Sequence, residues 1–120
     1  QFKKIRELEK NNIQVSSMFI LGFPTDKEKT MDNTINYAKK LNTTYAQFSV
    51  WTPYPGTPIY NEYKDKIITN TYEECDQYNL IYKHKSLNKN IVRKYLDKAY
   101  RTYYFRIRWV LKFIRSFIFA

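Results

Sequence analysis

The sequence predicts an α/β fold with parallel strands, and three observations carry that expectation. Two apolar, β-branched and aromatic runs, 13–21 (IQVSSMFIL) and 45–51 (YAQFSVW), each end at a proline-bearing loop. One segment of helical period lies between them, long enough to carry a crossover from one strand to a parallel neighbour. The only two glycines of the chain, Gly22 and Gly56, both fall in the loops that follow those runs, where backbone must turn sharply.

The elements follow in order. Residues 1–11 read as a helix, with Phe2, Ile5 and Leu8 spaced by three and a stop at Asn11-Asn12. The run 13–21 reads as a buried strand, because near-continuous apolar sequence is what a parallel strand covered on both faces requires. Thr25 with Glu28 three positions on fits a capping box; Met31, Ile35, Ala38 and Leu41 recur at helical spacing, and Lys39-Lys40 sit in the last turn. A helix of about four turns is expected there. The second strand, 45–51, runs into the corner VWTPYPGTPIY, whose φ angles are preset by Pro53, Pro55 and Pro58. A right-handed βαβ crossover sets the loops 22–26 and 52–58 side by side at the carboxyl ends of the strands, where α/β proteins bind ligands. The corner therefore reads as a fixed wall of a site; the plainer alternative is a good turn.

Charge divides the chain. Of 21 Lys and Arg, 10 lie in residues 1–82 against 10 acidic side chains, whereas 83–120 hold 11 basic side chains against Asp97 alone. The stripe Val92, Leu96, Ala99, Tyr103, Ile107, Val110, Ile114 and Phe117 advances by threes and fours, giving a basic amphipathic helix with a kink allowed. Such a helix packs on the body with a solvated face, or attaches to an anionic membrane surface through 91–119, or stacks Tyr100, Tyr103, Tyr104 and Phe105 on nucleic acid; the last is the least favoured. A/T-rich codons for Lys, Asn, Ile and Tyr could account for part of the basic excess.

Other features narrow the classes. Cys75 stands alone, so neither a disulfide framework nor a zinc or iron-sulfur site can be built from this chain's cysteines. No leader pattern and no membrane-spanning run is visible, which makes the cytoplasm the default expectation, with a place at the membrane periphery if the basic helix attaches there. The chain opens at Gln1 inside a charged amphipathic segment, so its first element is expected to be cut. His84, beside lysines, reads as an exposed surface residue, and Glu73, Glu74 and Asp76 read as a solvated face or helix start with no catalytic role.

FILGFPTDKEKTMDNTINYAKKL (19–41) followed by AQFSVWTPYPGTPIY (46–60) resembles the last part of the catalytic barrel of radical S-adenosylmethionine (radical SAM) enzymes, in the group that includes methylthiotransferases and cobalamin-dependent members. Pro53 to Pro58 reproduce that group's Pro-Tyr-Pro-Gly-Thr-Pro corner in full. The segment 78–113 is similar to the helical tail of the cobalamin-associated members, while 62–77 match weakly. The resemblance implies the last two β/α units of a partial (β/α)6 TIM-like barrel in 1–66 and a helical C-terminal extension in 67–120. It implies S-adenosylmethionine as cofactor, cleaved reductively by an electron from a 4Fe-4S cluster. Ile20 and Gly22 then occupy the places that pack the adenine after the fifth strand, and Trp51, Thr52 and Pro53 hold its edge through backbone groups. Met18 stands where the family has a first glycine, and Thr25-Asp26 replace its Gly-Glu, which leaves Asp26 as a shifted candidate. The family's Cys-x3-Cys-x2-Cys is absent from this chain, so the cluster, most of the SAM contacts and, in some members, a cobalamin-binding domain would belong to an upstream part of the same polypeptide. These 120 residues alone would not catalyse. A small-molecule or lipid-like substrate is implied. The reading from another class is a non-catalytic basic module that binds RNA or a membrane surface.

Overall fold

A computed structural model describes residues 1–119. Its elements run α1 (Phe2–Lys10), β1 (Ser16–Leu21), α2 (Glu28–Leu41), β2 (Tyr45–Val50), α3 (Pro58–Tyr63), α4 (Lys89–Tyr104) and α5 (Ile107–Ile118), with 3-10 turns at Lys64–Lys66 and Tyr72–Glu74. The predicted order of helix, strand, helix, strand and corner is the observed one.

β1 and β2 pair in parallel, in the register Ser17 with Ala46, Phe19 with Phe48 and Leu21 with Val50. Because side chains alternate along a strand, these three pairs share one face. That face is the core: Leu21, Ala46, Phe48 and Val50 pack with Met31, Ile35 and Ala38 of α2 and with Val92, Leu96, Ala99 and Tyr103 of α4. The opposite face carries Met18 and Ile20, which are 69% and 43% exposed. The expectation of a first strand covered on both faces is therefore corrected. Both long helices lie over the same side, so the apolar run 13–21 yields a six-residue strand with one open face. Among the described residues the sheet has these two strands, and a barrel is not seen within this chain.

The crossover helix starts later than its sequence signal. Thr25 does not cap it; Lys27 is the N-cap residue, its N–H donated to the Thr30 hydroxyl at 2.8 Å. Asp26 intervenes, because its carboxylate accepts from the Phe23 N–H at 3.0 Å and from the Thr30 hydroxyl at 2.7 Å, which holds 23–26 as a turn before the helix can begin. The helix closes with Asn42 in the left-handed region at φ 47°.

The C-terminal half is not one helix. Residues 78–88 are non-helical and thread into the core through Leu80, Ile81 and Tyr82, with an antiparallel bridge between Ile67 and Tyr82. Asn88 then caps α4 by accepting the Ile91 N–H at 2.9 Å. The break between α4 and α5 falls at Phe105-Arg106. There the Arg106 guanidinium is drawn to the end of α2, donating to the Lys39 carbonyl at 2.7 Å and to Asn42 Oδ1 at 3.0 Å. The apolar stripe is split accordingly. Val92, Leu96, Ala99 and Tyr103 are buried core, whereas Ile107, Ile114 and Phe117 are exposed.

α4 runs antiparallel to β2. Val92 lies 3.6 Å from where a Cβ on Gly22 would sit, beyond the carboxyl end of β1, and Tyr103 donates to the Thr43 carbonyl before the amino end of β2. α5 therefore lies at the amino-terminal base of the sheet. Trp109 donates to the Thr44 carbonyl there at 2.9 Å, and Lys112 reaches Glu9 of α1 at 2.5 Å.

Candidate functional site

The loops at the carboxyl ends of β1 and β2 are adjacent. The Trp51 N–H donates to the Leu21 carbonyl at 2.8 Å, extending the ladder one step beyond the strands, and the Phe23 and Trp51 rings lie 6.3 Å apart. Trp51 in turn meets Tyr63 at 5.2 Å and Tyr82 at 5.1 Å, both edge to face. Together these rings form a rigid aromatic floor under the rim.

Each residue singled out in the sequence has a distinct setting. Ile20 sits on the open face opposite Ser49 and faces away from the core. Gly22 has φ +80°, a conformation that side-chain-bearing residues rarely adopt, and it is buried. The space beside its Cα is filled by Val50, Val92 and Leu80, and its carbonyl accepts the Tyr82 hydroxyl at 2.7 Å, so its missing side chain serves core packing. The Thr52 hydroxyl is spent on the Val50 carbonyl at 3.0 Å, and Pro53 is fully buried. Among the described residues, no hydrogen bond reaches the Thr52 N–H or the Trp51 carbonyl. These two groups belong to one trans peptide and point in opposite directions, so one of them at a time can face a given ligand edge at the rim.

The corner itself is anchored. Thr57 caps α3 by accepting the Tyr60 N–H at 3.3 Å and donates to the Tyr54 carbonyl at 2.6 Å, with Pro58 in the first turn where its absent N–H costs nothing. Gly56, at φ +87°, has no atom within 4 Å of a Cβ position, so there the need is conformational alone.

Two rim residues were missed or misread from sequence. His84 is half-buried. Its Nδ1 accepts the backbone N–H groups of Ser86 and Leu87 at 2.9 and 3.0 Å, and Nε2 lies 2.8 Å from the Phe23 carbonyl. With Nδ1 an acceptor, the proton is on Nε2, and the imidazole bridges the 84–87 loop to the 22–26 loop. Tyr82 pins the same loop through Gly22, and burial pushes its phenol well above the ordinary range. No spacing rule marks either residue, because both partners are backbone carbonyls some sixty positions away.

Asp26, the displaced acidic candidate, is committed to Phe23 and Thr30 and so serves loop geometry. The acidic run 73–76 is likewise structural. Glu74 pairs with Lys89 at 3.3 Å, and Asp76 accepts the Tyr78 N–H at 2.9 Å. Partial burial, with Asp76 and Glu74 nearby, holds the Cys75 thiol above its ordinary value, which disfavours the reactive thiolate. Among the described residues there is no group of three or more His, Cys, Asp and Glu that could hold a metal ion.

The sequence is 32% identical over 111 residues to an uncharacterized methyltransferase of Pyrococcus horikoshii, a match covering 90% of this chain and 24% of that protein. It is 29% identical over 100 residues to the bacteriochlorophyllide d C-12(1)-methyltransferase of Chlorobaculum tepidum, covering 83% of this chain and 22% of the relative. Over 70 residues it is 41% identical to the tRNA-2-methylthio-N(6)-dimethylallyladenosine synthase of Buchnera aphidicola, covering 56% of this chain and 16% of that enzyme. The chain belongs to the radical SAM family. No protein-family model matches the sequence. The chain spans about a quarter or less of the length of these curated relatives. Within the radical SAM frame the matches to methyltransferases extend over most of the chain, whereas the match to the methylthio synthase is higher in identity but shorter.

Proposed function

We propose that this chain supplies the adenine side of the S-adenosylmethionine site of a radical SAM enzyme. In this reading β1, α2 and β2 are the last two β/α units of a partial barrel, within residues 1–66, and 67–120 are a C-terminal extension that closes it. The observation that carries the reading is the rim: two adjacent loops beyond parallel strand ends, an exposed apolar Ile20 on the open face, and the free Trp51 carbonyl and Thr52 N–H beside it. Ile20 would pack on the adenine face, one of these backbone groups would meet its edge, and the buried Pro53 would fix the course of the chain there. Gly22, packed inward, would shape the turn that presents Ile20.

Bound there, S-adenosylmethionine supplies the carbon–sulfur bond that is cleaved reductively. The 4Fe-4S cluster would be held by cysteines elsewhere in the polypeptide, and cobalamin fits the resemblance to methyltransferases as a further cofactor of that polypeptide. A small-molecule or lipid-like substrate follows from the same likeness. The open face, with Met18 and Gln47 below Ile20 and Ser49, would line the reaction chamber.

The experiment is S-adenosylmethionine cleavage to 5′-deoxyadenosine by the full-length polypeptide, cluster-loaded and reduced anaerobically with dithionite. Replacing Ile20 by Asp buries a charge against the base and is expected to raise the cofactor's KM by about tenfold or more, while Ile20→Leu stays near wild type. Cleavage by Ile20→Asp with an unchanged KM would overturn the assignment.

A further inference from the structure

We propose that α5 is an anionic-membrane docking element whose apolar ridge lies in the lipid headgroup region while the rest of the chain stays above it. At 100° per residue, Ile107, Leu111, Ile114 and Ile118 fall on one side of α5. These four side chains are between 47% and 69% exposed. The opposite side is the docked one: Trp109 packs edge to face on Tyr104 at 4.7 Å and donates to Thr44, while Lys112 is spent on Glu9 and the Asn42 carbonyl. The ridge therefore points away from the body, and nothing among the described residues covers it.

Charge selects the occupant. Arg108 and Arg115, seven residues apart, line one flank of the ridge, and both are exposed. Asp97 is the last acidic residue of the sequence, so no carboxylate on α5 offsets them. A second copy laid antiparallel, ridge to ridge, would bring Arg108 against Arg115, whereas in a lipid interface phosphate headgroups pair with the arginine flank and the acyl boundary takes the apolar ridge. A helix of 12 residues is about 18 Å long, too short to cross a bilayer and suited to lying in its interface. No helix among the described residues is long and apolar enough to span a membrane.

The test is co-sedimentation of the full-length polypeptide with vesicles of mixed phosphatidylglycerol and phosphatidylcholine, compared with phosphatidylcholine alone. Expected are pelleting with the anionic vesicles at low salt, loss of pelleting in the double variant Leu111→Asp with Ile114→Asp, and weakening by about fivefold for each arginine in Arg108→Gln and Arg115→Gln. All four side chains are exposed, so these variants should keep the wild-type circular dichroism and melting temperature, and both are measured alongside. Absence of pelleting with anionic vesicles at low salt overturns the proposal. So does pelleting that survives the Asp double variant, which would be adsorption by basic charge alone. A solution mass that drops to the monomer in that variant without vesicles also overturns it, since the ridge would then be a contact between copies.

Discussion

The Tyr104 hydroxyl accepts the Ala46 N–H at 3.0 Å and donates to the Ala46 carbonyl at 2.6 Å, so one phenol satisfies both outward backbone groups of a strand residue. One turn earlier on α4, Tyr100 does the same for Phe48 at 3.0 and 2.8 Å, and the Gln77 carbonyl takes the Val50 N–H at 2.6 Å. The free edge of β2 is thus closed by side chains in place of a further strand. An open edge is a template for unwanted pairing, and here it is removed by a helix that sits across it. The tyrosines that could have been offered to nucleic acid are occupied in this way.

Tyr104→Phe and Tyr100→Phe each remove two hydrogen bonds but keep the rings, including the Tyr104 contact with Trp109. Each is expected to destabilise the fold by about 1–3 kcal/mol, because a backbone pair loses its partner at a partly buried edge. Urea unfolding measures the loss. Amide exchange at Ala46 in the first variant and at Phe48 in the second should accelerate selectively, and uniform exchange across β2 would argue against the edge role.

Gly22→Ala tests conformation against space. The nearest atom to the added Cβ would be 3.5 Å away, an ordinary contact, so the cost comes from φ +80°. About 1–2 kcal/mol of stability should be lost. Gly22→Val should cost clearly more, since its extra methyls would enter the space of Val50, Val92 and Leu80. Equal melting temperatures for the two variants would contradict this account.

His84→Ala should loosen the rim without opening the core, since the ring's partners are three backbone groups of two loops. Loss of about 1–2 kcal/mol is expected, together with faster exchange of the Ser86 and Leu87 amides. His84→Asn, which can still accept one N–H, should recover part of the protection. An unchanged exchange pattern in the alanine variant would remove His84 from the rim architecture.

Alkaline pH should unfold the protein through its buried phenols. Burial raises the pKa values of Tyr82, Tyr100 and Tyr103 above the ordinary 10.0. Below pH 10 the unfolded and folded chains both keep these protons, and the stability they contribute is complete. As pH rises past 10 the unfolded chain ionises first, so stability falls progressively through the raised folded values. Lys112 and Arg106, whose pKa values burial lowers, oppose this, while the raised values of Tyr95, Lys98 and Cys75 act in the same direction as the buried phenols. Denaturant melts across that range should lose stability with rising pH, and Tyr100→Phe should flatten the slope.

The strand–helix–strand unit was legible because its signals are local: Met31, Ile35, Ala38 and Leu41 at helical spacing, Gly22 and the proline corner at strand ends. The proximity of the two loops followed from topology alone. The one-sided sheet was not legible, because Met18 and Ile20 look like core residues until α2 and α4 are seen on the same face. The sequence allows a kink in the C-terminal helix, but its place at Phe105-Arg106 was hidden for a similar reason. The stripe from Val92 to Phe117 is continuous in sequence, and the pull of the Lys39 carbonyl and of Asn42 Oδ1 on Arg106 acts over more than sixty positions. Of the rim, Ile20, Trp51 and Pro53 could be named from motif, whereas Tyr82 and His84 act through backbone partners that leave no pattern.

The course of α4 carries a consequence for orientation. It descends from the rim to the base, so α5 and the Ile20 mouth occupy opposite poles, separated along the strand by the five residue steps from Thr44 to Ser49, about 17 Å. With α5 seated on lipid, the mouth faces the aqueous phase. A substrate would reach it from solution or from a carrier, and one drawn from the bilayer would have to climb the height of the molecule.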